Sequence, residues 1–125
     1  MNRMNTFLIG MSWCDPEEVA AFKRVGLDDD PRCSTGLFVV AENRDEAVKW
    51  ANSVAEKCMA HLFQGKQYAL ESLELFCWVV QEPGRSSWKH CLDFFPKVSL
   101  GEYPDFQKMT PGAYSDWCRR MGLPQ

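Results

Sequence analysis

The sequence predicts an α+β domain: a small mixed or antiparallel sheet of three to four strands, with about three helices mainly on one face. Three observations carry this. Hydrophobic periodicity gives the order strand, helix, strand, helix, strand, probable strand, helix. A Glu82-Pro83-Gly84-Arg85 turn follows the third strand, and a tight turn there calls for at least one antiparallel pair. The chain has 125 residues, 46% of them hydrophobic, which suits one domain with its own core over residues 1–125. A mostly parallel α/β sheet is the alternative.

The elements follow in order. Residues 6–13 form a strand, because Phe7, Ile9, Met11 and Trp13 alternate onto one face. Asp15-Pro16-Glu17-Glu18 then opens a helix: Asp caps, Pro fits the first helical position, and Glu18 stands three residues after the cap. It runs to about Val25 and stops at Gly26. Residues 26–36 are a loop by composition, with the acidic run Asp28-Asp29-Asp30 inside it. Leu37–Ala41 is a short continuous apolar run, suited to a central strand covered on both faces.

Asn43 caps the second helix, with Glu46 three residues on. Its apolar stripe holds Ala47, Val48, Ala51, Val54, Ala55, Cys58, Met59 and Leu62, and Gly65 ends it. Residues 69–80 read as a long strand. Leu73, Leu75, Cys77 and Val79 share one face, and Phe76, Trp78 and Val80 the other. Trp88–Phe95 reads as a strand returning antiparallel, and 96–109 as irregular. Thr110 caps the last helix, Pro111 takes its first position, and Tyr114, Trp117, Cys118 and Met121 form its stripe before Gly122.

Composition excludes several functions. Lys plus Arg is 14 and Asp plus Glu is 17, for a net charge of −3. Nucleic-acid binding by phosphate neutralisation needs clustered cations. The only adjacent basic pairs, Lys23-Arg24 and Arg119-Arg120, sit where helices end and complement the helix dipole. No run approaches the length of a membrane span. The six cysteines include no C-x-x-C pair, and several fall in apolar stripes, where a thiol acts as a small hydrophobe. The expected compartment is the reducing cytoplasm.

Catalytic motifs are missing. Neither a phosphate-binding glycine loop nor a G-x-S-x-G elbow occurs. The two histidines, His61 and His90, are the only imidazoles available for proton transfer. His90 with Cys91, or Cys14 at a helix start, are the candidates for chemistry. Cys58, His61, His90 and Cys91 have the ligand types of a zinc site, but adjacent strand residues point to opposite faces. No metal or cofactor is therefore expected.

The third strand is apolar on both faces, so Phe76, Trp78 and Val80 need a cover. Either segment 96–109 or a second copy of the chain supplies it. The leading expectation is a self-associating interaction or regulatory module, bound to itself or to another protein. The alternative is a small enzyme or ligand-binding protein with an aromatic pocket under residues 85–109. Trp88, His90, Tyr103 and Phe106 are the binding candidates in either case. A thiol or zinc protein is a third option. The strand–helix unit 37–62 recurs in many small domains and fixes no activity.

Overall fold

Two ten-residue strands, β1 (Asn5–Cys14) and β2 (Arg32–Ala41), pair antiparallel along their whole length, from Asn5 opposite Ala41 to Cys14 opposite Arg32. Strand β3 (Phe76–Val79) adds antiparallel to the other side of β1, and β4 (Lys97–Ser99) adds parallel to β2. The order across the sheet is β3-β1-β2-β4. Helices α1 (Pro16–Arg24), α2 (Arg44–Leu62) and α3 (Pro111–Met121) complete the α+β fold that the sequence predicts. This computed structural model describes residues 3–26, 32–64 and 73–123. The Asp28–Asp30 run, Gly65 and residues 69–72 lie outside them.

The helix starts form as their residues dictate. The Asp15 carboxylate accepts the Glu17 N–H at 2.9 Å, and the Asn43 side chain accepts the Glu46 N–H at 2.9 Å. Thr110 stands at the N-cap of α3, but its hydroxyl donates to the Gln107 carbonyl rather than capping the helix. Gly26 and Gly122 take left-handed conformations just past α1 and α3.

One core lies between the sheet and α2. Ala47, Ala51 and Ala55 are fully buried, and these short side chains let the helix settle close onto Ile9, Met11, Leu37 and Val39. Each buried Ile or Leu contributes about 1.5–3 kcal/mol. Leu73, Leu75, Cys77 and Val79 join this core, on the face that alternation assigns them.

The opposite face carries a second, aromatic core. Leu8, Cys91 and Phe95 are buried there, with Phe38, Val80, Trp88, Leu92, Tyr114 and Trp117 around them. Trp78 lies against Gly10, its opposite number on β1, so closely that a Cβ at Gly10 would fall 2.4 Å from the indole. Phe95 covers Gly36 in the same way, 3.1 Å from where a Cβ would stand.

Several expectations are corrected. Residues 32–36 are not loop but the start of β2, because pairing with β1 overrides their polar, glycine-containing composition. The third strand is only Phe76–Val79, since Glu74 has a left-handed φ of 49° that breaks the extended chain ahead of it. Residues 88–95 are not a strand. They form successive tight turns, with Cys91 N–H on the Trp88 carbonyl and Phe94 N–H on the Cys91 carbonyl. The fourth strand comes later, at Lys97–Ser99. Segment 96–109 does not cover Phe76, Trp78 and Val80. It packs on the α2 side, where the Trp50 indole donates to the Glu102 carbonyl at 2.8 Å and stacks on Tyr103. Residues 88–95 and the aromatic stripe of α3 pack over part of the second face instead, with Trp88 against Trp78, while Phe76 remains exposed.

Candidate functional site

A cleft of about 460 Å³ opens beside the first half of β2. Cys33, Ser34 and Thr35 form its floor. Trp13 and Met109, both buried, wall one side. Trp88, Cys91, Phe94, Phe95 and Tyr114 wall the other, and Ser87, His90 and Thr110 complete the lining. Its volume falls in the range of sites that hold small organic ligands, and its mixture of aromatic wall and few polar groups is typical of them.

Local structure explains the wall. Trp88, Cys91 and Phe95 recur every three or four residues, so the turns of 86–95 point them together toward the sheet. Ser86 fixes the first turn: its hydroxyl donates to the Pro83 carbonyl at 2.7 Å and accepts the Trp88 N–H at 3.2 Å. The rings then brace one another. Trp88 meets Phe95 edge-on with centroids 5.1 Å apart, and Phe94 meets Tyr114 edge-on at 5.5 Å. Such mutual packing holds ring positions before any ligand arrives.

His90 stands exposed at the rim with Nε2 3.4 Å from the Tyr114 hydroxyl. Tyr114 has its pKa pushed up to about 12, first by its hydrogen bond with Cys118 and then by burial. Its phenol therefore stays protonated at neutral pH. Cys91 donates its thiol to the Trp88 carbonyl at 3.3 Å. Burial, with Cys118 close by, raises its pKa. Burial also raises that of Cys33, and Glu18 and Asp15 add to the effect. Both thiols that line the cleft are thus held in the protonated, poorly nucleophilic form. Cys14 is buried at the end of β1.

The other candidates are dispersed. Tyr103 stacks on Trp50, and Phe106 lies against His61, whose Nε2 meets the Gln107 side-chain amide at 3.1 Å. These sit on the α2 side, away from the cleft. Cys58 belongs to the core under α2 and Cys91 to the core on the opposite face, so the sheet separates the two halves of the zinc constellation. Among the described residues, no three His, Cys, Asp or Glu side chains gather as a metal site. Trp88 and His90 reach the cleft as binding candidates. Trp13, Met109, Thr35 and Tyr114 were not singled out, because apolar periodicity reads alike for a core wall and a cleft wall.

All six cysteines are free thiols. Burial pushes Cys58 up to about 11, and burial with Glu56 nearby pushes Cys77 up to about 12, from an ordinary 9.0. A thiol that resists ionisation in the folded chain keeps a proton that the unfolded chain releases. Stability is therefore intact below pH 9 and falls as pH rises toward those values. Urea midpoints under reducing conditions should drop between about pH 8 and pH 10.5, and drop less in a Cys58→Ala/Cys77→Ala variant. Equal slopes in both proteins would contradict the assignment.

No helix among the described residues is long and apolar enough to cross a membrane. No family model, curated protein or solved structure matches this chain.

Proposed function

We propose that this protein binds a small organic molecule in the cleft beside β2, within a reducing cytoplasm. The observation that carries the reading is the preassembled aromatic wall of Trp88, Phe94, Phe95 and Tyr114 facing Trp13 and Met109 across a 460 Å³ space. Binding is favoured over catalysis. The cleft's thiols are held protonated, and among the described residues His90 bonds the Tyr114 hydroxyl and no carboxylate. Residues 88–95 and α3 pack over part of the second apolar face, while Phe76 stays exposed at its edge.

A titration with quinoline, a neutral bicyclic probe, tests this by amide chemical shifts. Shifts should concentrate at residues 33–35, 87–95 and 109–114. Ser87→Trp, at an exposed rim position, should fill the mouth and weaken the probe by about tenfold or more, equivalent to ~1.4 kcal/mol. Trp88→Ala should do the same, with a thermal melt to report its structural cost. Shifts scattered over the surface, or an indifferent Ser87→Trp variant, would overturn the reading.

A further inference from the structure

The floor of the cleft is a strand edge with no ladder partner among the described residues. The Phe38 N–H donates to the Pro96 carbonyl at 2.9 Å, so Phe38 turns its backbone groups away from β1 and toward β4. The β1–β2 register runs without a bulge, so every second residue repeats that orientation. Gly36 and Ser34 therefore also direct their N–H and C=O outward. Strand β4 meets only Phe38, Val39 and Val40. One step further along stands Pro96, which has no N–H to carry the ladder to the Gly36 carbonyl. Phe95 then folds over Gly36. Ser34 is left as the strand residue whose outward donor and acceptor border the cleft, with no ladder partner among the described residues.

Thr35 adds a second polar group beside that edge. It is only 7% exposed and lines the cleft, yet no group among the described residues hydrogen-bonds its hydroxyl. Among the described residues no buried side-chain oxygen lacks a hydrogen-bond partner, so this hydroxyl oxygen is open to the cleft and can meet a ligand there. The charge pattern narrows the ligand further. Among the described residues no Lys, Arg, Asp or Glu lines the cleft, so they offer nothing to compensate a charged group desolvated there.

We propose that the cleft takes a neutral, planar heteroaromatic molecule whose edge bears an adjacent acceptor and donor, as in a cyclic amide. That edge lies along the backbone N–H and C=O of Ser34, with the Thr35 hydroxyl as a third contact. The ring plane continues the plane of the sheet, between Met109 and Trp13 on one side and Phe95, Trp88 and Tyr114 on the other. This rests on the ligand-binding reading and adds to it the chemistry of the ligand's edge.

Four probes separate the two claims: quinolin-2(1H)-one, its N-methyl analogue, naphthalene and quinoline-2-carboxylate. Affinities come from amide-shift titration of the full chain. The lactam should bind about tenfold more tightly than naphthalene or the N-methyl analogue, the worth of one or two hydrogen bonds, and should shift the Ser34 amide most. Thr35→Val, which keeps the side-chain shape, should weaken the lactam several-fold and leave naphthalene unchanged. The carboxylate should bind least. If naphthalene or the N-methyl analogue matches the lactam, the edge proposal is overturned while the ligand-binding cleft stands. A carboxylate that binds as well as the lactam overturns the neutrality claim. Silence from all four overturns both readings together.

Discussion

Leu37→Ala should lower the unfolding free energy by about 3 kcal/mol, within the 2–5 kcal/mol usual for such truncations in a packed core. Leu37 is fully buried at the centre of β2, opposite Ile9 and beneath α2. Three of the α2 residues in that core are alanines, too short to swing into the space it leaves. The loss therefore includes a cavity as well as the transferred methyl groups. A domain of this size has roughly 5–15 kcal/mol in all, so the variant should stay folded at room temperature but melt about 10 °C lower. In urea the midpoint should fall with the slope unchanged. A loss under about 1 kcal/mol would mean that the core under α2 is far less tightly packed than described.

The second large effect is expected at Gly10. Adding a single methyl group, Gly10→Ala, should cost about 2 kcal/mol, within the usual range for overpacking. The new Cβ would stand 2.4 Å from the six-membered ring of Trp78, and all three of its nearest atoms belong to that indole. A flat, half-buried ring held between Trp88 and Phe76 cannot yield by bending. It must move as a body. The near-ultraviolet circular dichroism of the tryptophans should change with the stability. A double-mutant cycle isolates the contact: in a Trp78→Ala background, Gly10→Ala should be close to neutral. If Gly10→Ala costs the same with and without the indole, the close approach of ring and strand is not what excludes a side chain at position 10.

Much of this architecture is legible in the amino-acid sequence, and the places where it is not have physical causes. Side-chain caps such as Asp15 and Asn43 act over two or three residues, so local sequence suffices to place α1 and α2. The stripe of α2 and the alternating faces of β1 and β3 likewise follow from period alone. Residues 32–36 could not be read in this way. Their extended form comes from a distant partner, β1, and not from their own propensities. Residues 88–95 were open to a better reading. Trp88, Cys91, Leu92 and Phe95 are spaced by three and four, a signal of turns, but the adjacent Phe94 blurs it into an apolar run. Glu74 shows no sign in sequence of its left-handed backbone, so β3 is shorter than expected. The candidate site was half legible. Trp88 and His90 stood out as an aromatic and an imidazole in an aperiodic segment, as did Tyr103 and Phe106, yet the fold carries those two to the other side of the sheet. The strand floor was invisible, because an unpaired edge is a property of topology.

That topology has a consequence for the order in which the molecule becomes whole. The cleft joins Trp13 and the strand floor Cys33–Thr35 to residues much later in sequence, between Ser87 and Tyr114. The parallel contact between β2 and β4 likewise joins residues far apart in sequence, Phe38 with Lys97. Contacts closed over such long loops form against the largest entropy loss. On a ribosome, β1, α1, β2 and α2 emerge while the binding surface still lacks one side. A ligand held in the proposed cleft would tie these distant segments together and add its binding free energy to the folded state. The proposed recognition would thus require both segments to be in place.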